Sequence, residues 1–108
     1  MKYLYLLESD GFYKIGVASH PRGRIAELQT GNPHKINLVV SCLVENAYGA
    51  EWYMHTILSK LKVSGEWFRL PSDVVDILKE VYVVLENSKP SSSDTMRPQW
   101  ISILDRIK

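Results

Sequence analysis

The chain has 108 residues, 45% of them apolar and 23% charged, which suits one soluble domain with a modest core. Thirteen basic residues against 12 acidic ones leave a net charge of +1, which excludes a protein that coats nucleic acid by charge alone but not one with a local basic patch. One cysteine, Cys42, excludes an internal disulfide, and no apolar run approaches the roughly 20 residues of a membrane span.

The first expected elements are two strands, residues 2–8 and 12–18, rich in Tyr, Leu and Ile. Asp10-Gly11 between them is a strong hairpin signal, with a link of two residues or slightly more. Tyr5 on one strand and Lys14 on the other can then meet on one sheet face. Pro21 suits the first turn of a helix of about ten residues, Gly31 suits the left-handed residue past its end, and Pro33 forbids continuation. Ile25 and Leu28 face inward from this helix, and Arg24 emerges beside them. Gly23 reads as a loose first turn or as the mark of a close approach by backbone or phosphate.

Residues 36–45 read as a third strand, apolar on both faces and therefore expected at the centre of the sheet, with Cys42 as a small buried hydrophobe. Asn46 caps a helix expected to run to about Leu61, with Ala47, Ala50, Met54, Ile57, Leu58 and Leu61 on its apolar face. Glu51 and His55, four apart, lie at the edge of that face. Glu66 to Leu70 is short and extended, and Pro71-Ser72-Asp73 opens a helix with a strong apolar stripe from Val74 to Leu85. The expected organisation is a domain over 1–88, a Pro- and Ser-rich linker over 89–95 and an amphipathic helix over 96–108 carrying Trp100, Ile103, Leu104 and Ile107. That tail either docks back on the domain or binds a partner. The fold class is α+β: a small central antiparallel sheet of about three strands, the opening hairpin plus 36–45, flanked by helices. With Glu8 and Asp10 so near the start, the N-terminus lacks the layout of a signal peptide, and a cytoplasmic location is expected.

The residues able to do chemistry are Tyr5, Lys14, Arg24, Glu51 and His55. Taken singly, each has an ordinary structural reading: packing for Tyr5, solvated charge for Lys14 and Glu51, a snorkelling side chain for Arg24, and for His55 a hydrogen bond to a carbonyl or to Glu51. Their order adds information. Tyr3-Leu4-Tyr5, then Lys14-Ile15-Gly16, Arg24-Ile25, Leu28-Gln29-Thr30-Gly31-Asn32-Pro33, Glu51 with His55, and Gly65-Glu66-Trp67-Phe68 resemble the GIY-YIG endonuclease superfamily, in its compact phage-associated branch, over roughly residues 2–70.

The resemblance implies a metal-dependent DNA endonuclease that hydrolyses phosphodiester bonds. Tyr5 is then the base, made more acidic by Lys14; Arg24 binds a phosphate oxygen; Glu51 ligates Mg²⁺ or Mn²⁺; and His55 orients Glu51 or touches phosphate. Two positions depart from the superfamily pattern: Tyr3 stands at its first glycine, and Lys14 at its second tyrosine. These departures keep open the alternative of a catalytically inactive, GIY-YIG-like module that binds nucleic acid or protein. Glu66 is an alternative acidic ligand, with a structural role favoured for Glu66-Trp67-Phe68. The low net charge implies modest DNA affinity, with a homodimer or a partner protein on the C-terminal helix as one way to add contacts.

Overall fold

The computed structural model describes residues 1–87 and 98–107. The expected linker, 89–95, lies outside the described residues. The chain forms an α+β fold in which helices flank one antiparallel sheet of five strands, not about three, in the order β3-β1-β2-β5-β4. Strands β1 (Lys2–Ser9) and β2 (Phe12–Ala18) form the opening hairpin, with Tyr5 across from Gly16 and Leu7 across from Lys14. The turn is the two residues Asp10 and Gly11, with φ of 52° and 85°. Positive φ at both positions is what the tight primed turn demands, and Asp-Gly meets it at low cost. The Glu8 carboxylate accepts from the Gly11 N–H at 2.9 Å and locks the turn.

Helix α1 (Pro21–Gln29) has Pro in its first turn, and Ile25 and Leu28 pack on a small core formed by Tyr5, Leu7 and Ile36. A Cβ at Gly23 would meet only the His20 Cβ, at 3.8 Å, so this glycine marks no close approach by the backbone of the described residues.

Strand β3 (Asn37–Val44) is at the edge of the sheet, paired with β1 alone, which corrects its expected central place. Its apolar residues do not all go inside: Cys42 is buried, whereas Leu38 and Leu43 are exposed. Burial pushes the Cys42 thiol up to about 12, so it is an inert part of the core.

Helix α2 (Ala47–Ile57) is capped by the Asn46 side chain, which accepts from the Gly49 N–H at 3.1 Å. It ends earlier than expected and passes through one 3₁₀ turn, Ser59–Leu61, into two very short strands, β4 (Lys62–Ser64) and β5 (Trp67–Phe68). Gly65, with φ of 55°, makes the bend between them. Strand β5 pairs with β2 only at Tyr13 and Lys14.

Helix α3 (Ser72–Asn87) buries Val74, Val75, Leu78, Val81, Tyr82 and Leu85 in the main core, on the sheet face lined by Leu4, Leu6 and Ile15. Helix α4 (Gln99–Leu104), shorter than the expected tail helix, docks back: Ile103, Leu104 and Ile107 join the main core. Trp100 meets Tyr53 edge-on at 5.7 Å, and Arg106 pairs with Glu80 at 3.1 Å. Among the described residues no helix is long and apolar enough to cross a membrane.

Candidate active site

Tyr5, Lys14, Gly16, Val17, Arg24, Glu51 and Glu66 line one polar cleft of about 210 Å³. Five of the seven carry a reactive or charged group, and they come from β1, β2, α1, α2 and the β4–β5 bend. The sheet explains part of this meeting. Tyr5 faces Gly16, and Lys14 is two residues from Gly16, so the period of a strand puts Tyr5 and Lys14 on one face. Gly16 is required by a close approach: a Cβ there would collide with the hydroxyl and ring of Tyr5. The Tyr5 ring therefore lies across β2 and carries its hydroxyl into the cleft.

The backbone of Tyr5 is held from the other side. Tyr82 of α3, fully buried, donates its hydroxyl to the Tyr5 carbonyl at 2.9 Å. Tyr82 is the positioning residue that sequence reasoning missed. A tyrosine on an apolar helix stripe is a usable signal, because a buried phenol hydroxyl needs a partner.

Helix α2 brings in Glu51 along the open edge of β2. The β5 ladder stops at Lys14, and the next carbonyl, that of Ile15, accepts from His55 Nε2 at 2.9 Å. The His55 ring also meets Phe68 edge-on at 5.1 Å. His55 is not on the cleft wall. It fastens α2 to β2 one helical turn from Glu51, so it acts on the site through position.

Lys14 is 5% exposed and ion-paired with Glu66 at 3.2 Å, while the Glu66 side chain is 59% exposed. The Lys14 Nζ also sits 5.9 Å from the centre of the Trp67 ring. This corrects the expectation that Lys14 makes Tyr5 more acidic. The cation beside the Tyr5 hydroxyl is Arg24, and burial outweighs its pull, so the phenol is held above its ordinary value of 10. Arg24, on the exposed face of α1, also binds Glu27 at 3.1 Å.

The two carboxylates on the cleft differ. The hydrogen bond and charge of Lys14 hold Glu66 below the ordinary carboxyl range. Glu51 is held above that range, first by burial and in part by the charge of Glu66, against the pull of His55 and Lys14. Among the described residues no group of three or more His, Cys, Asp or Glu side chains is arranged to hold a metal. A divalent cation here would take Glu51, with Glu66 near it, and complete its shell from water and substrate, as Mg²⁺ characteristically does.

The fold and cleft together define a small α+β domain that presents two cations, two carboxylates and a phenol to one polar cleft of about 210 Å³. The family model of the T5orf172 domain matches residues 2–86, and the chain belongs to that family. No curated protein and no solved structure matches it.

Proposed function

We propose that this T5orf172 domain is a metal-dependent DNA endonuclease of the GIY-YIG type. The observation that carries this reading is the shared cleft of Tyr5, Lys14, Arg24 and Glu51, residues far apart in the chain. A buried lysine, a partly buried carboxylate that accepts no hydrogen bond among the described residues and a phenol crowded against a glycine at one place are what a chemical site gathers, and they support this reading.

The donor set fits Mg²⁺ or Mn²⁺ shared with substrate. Glu51 is partly buried and accepts no hydrogen bond among the described residues, so a cation would relieve its desolvation. When bound, such an ion supplies charge neutralisation at the phosphate and at the departing oxygen. The chain's own residues do the rest. Arg24 offers a planar fork to a non-bridging phosphate oxygen and stabilises the charge that grows there as water attacks phosphorus. Lys14 adds a second positive charge once a phosphate competes with Glu66 for it. Tyr5 rests as a neutral phenol. To act as base Tyr5 first loses its proton to solvent, a step the Arg24 charge assists. The phenolate then takes a proton from the attacking water as the bond from phosphorus to the leaving oxygen breaks, and the leaving oxygen takes its proton from solvent.

Purified protein with Mg²⁺ or Mn²⁺ should nick supercoiled plasmid, and Glu51→Ala should abolish nicking. Arg24→Ala should lower the rate by about 10²–10³-fold. Equal nicking by Glu51→Ala would overturn the reading. Binding of DNA without cleavage under every divalent cation would favour a non-catalytic binding module on the same scaffold.

A further inference from the structure

A second concavity adjoins the cleft at the hairpin end of the sheet. It measures about 300 Å³, and its walls include Phe12, Trp67, Val63, Asp10, Asn32 and His34. We propose that this groove binds one unpaired nucleobase, that of the nucleotide adjoining the phosphate held in the cleft. The inference rests on the nuclease reading for the phosphate and names the substrate class: DNA with an unpaired nucleotide at the cut.

The two spaces are neighbours along β2 and β5. Trp67, which lines the groove, is the register partner of Lys14, which lines the cleft, and the Lys14 ammonium lies 5.9 Å from the centre of its ring. Phe12 and Lys14 lie on the same face of β2, two residues and therefore about 7 Å apart. One sugar spans that kind of distance between its phosphate and its base. Phe12 and Trp67 both line the groove, each with a cation over one side of its ring, Arg69 at 5.0 Å and Lys14 at 5.9 Å respectively. Aromatic surface of this kind accepts the face of any base.

The polar side of the groove is built in advance. The loop after α1 is pinned by Gln29, whose Nε2 donates to the carbonyls of Asn32 at 3.3 Å and His34 at 2.9 Å. Its Oε1 accepts from the Ile36 N–H at 2.8 Å. The Asn32 Oδ1 accepts from the His34 N–H at 3.0 Å, and no described residue accepts from the Asn32 side-chain amide. The His34 ring stands 3.6 Å from the Asp10 carboxylate at the groove rim. Amide, imidazole and carboxylate at fixed places suit the hydrogen-bonding edge of a base. The Watson–Crick edge is free only when the base is out of a duplex.

The test uses the full chain in EDTA, so that binding is read apart from cleavage. The probes are a fluorescein-labelled single-stranded oligonucleotide, its duplex, and single strands with an abasic sugar at each position in turn. Wild type should prefer the single strand, and an abasic sugar at one position should weaken binding about tenfold. His34→Ala and Phe12→Leu should weaken binding of the intact strand by a similar factor and leave binding of that abasic strand unchanged. His34 is exposed, so its variant keeps the test usable if Phe12→Leu fails to fold. Equal affinity for intact and abasic strands overturns the subsite, as does equal affinity for strand and duplex. A nucleoside monophosphate that binds as tightly as the strand overturns the assignment to DNA. Base-dependent binding by a protein that never cuts DNA overturns the nuclease and leaves the subsite standing.

Discussion

The hydroxyl of Tyr82 reaches the backbone carbonyl of Tyr5 at 2.9 Å, so helix α3 holds the strand that presents the candidate catalytic phenol. Tyr82 is wholly buried, and Tyr82→Phe leaves the packing intact while removing one partner from a buried carbonyl. That change should cost about 1–3 kcal/mol. For a chain of this size each kcal/mol is worth roughly 4–8 °C in Tm. A thermal melt of Tyr82→Phe checks it. A variant with an unchanged Tm would mean that the bond contributes nothing net.

Gly16→Ala tests the opposite side of Tyr5. The added methyl falls on the Tyr5 hydroxyl and ring, so either the phenol leaves the cleft or β1 and β2 separate. Forcing a methyl into filled space should cost about 1–3 kcal/mol. Cleavage should fall much further than that stability loss alone would produce, because the displaced group is the proposed base. Wild-type cleavage by a stably folded Gly16→Ala protein would remove Tyr5 from the mechanism.

These two contacts also mark where the sequence stops being legible. The hairpin, α1 and the N-cap of α2 are local events, written in Asp10-Gly11, Pro21 and Asn46. The stripe of α3 is readable because a helix repeats its face every three or four residues. The place of β3 was not readable: an apolar run fits a central strand or an edge strand with exposed Leu38 and Leu43 equally well. Strands β4 and β5, of three and two residues, are too short to show a period at all. The candidate residues were named from their order, but not their partners. Lys14 and Glu66 are 52 residues apart, and Tyr5 and Tyr82 are 77 apart; no local pattern couples either pair.

The Lys14–Glu66 pair is lopsided, and its variants should be lopsided too. Lys14 is buried and Glu66 is largely in water. Glu66→Gln leaves a buried ammonium without its counterion. The loss should be smaller than the roughly 3–5 kcal/mol of a fully buried pair, because water reaches the Glu66 side. Lys14→Met removes the buried charge, leaves Glu66 to solvent and should destabilise less. Urea midpoints of both single variants and the double variant check the order. If Lys14→Met is the more damaging, packing of the lysine stem outweighs its charge.

Glu8 supplies a pH test far from the proposed chemistry. The Gly11 N–H, and then the Asn37 amide at 3.1 Å, hold its carboxyl below the ordinary value of 4.5. A carboxyl lowered in the folded state adds stability above its unfolded pKa and loses it as pH falls through the folded one. Glu8→Gln should therefore be less stable than wild type at pH 6, and the gap should close as pH drops well below 4.5. Urea midpoints measured from pH 6 to pH 2 read this directly. A gap that does not change with pH would mean that the charge is irrelevant to the turn.

Glu51 works in the other direction. Burial holds its carboxyl above the ordinary range, so the folded chain disfavours the charged form. At neutral pH that ionised carboxylate costs stability, and the cost disappears as pH falls through its raised pKa. Without metal, Glu51→Gln should melt higher than wild type at neutral pH, with the difference shrinking in acid. Added Mg²⁺ or Mn²⁺ should reverse the order. A ligand that binds only the folded state stabilises it by RT ln(1 + [L]/Kd), about 2.7 kcal/mol at a hundredfold excess over Kd. The cation should therefore raise the Tm of wild type and leave that of Glu51→Gln nearly fixed, and EDTA should undo the rise. This readout is independent of cleavage and separates two failures. A protein that gains stability from metal through Glu51 but cuts nothing has a metal site without a suitable substrate. A protein whose Tm ignores metal in both forms holds its half-buried carboxylate for some purpose other than a cation.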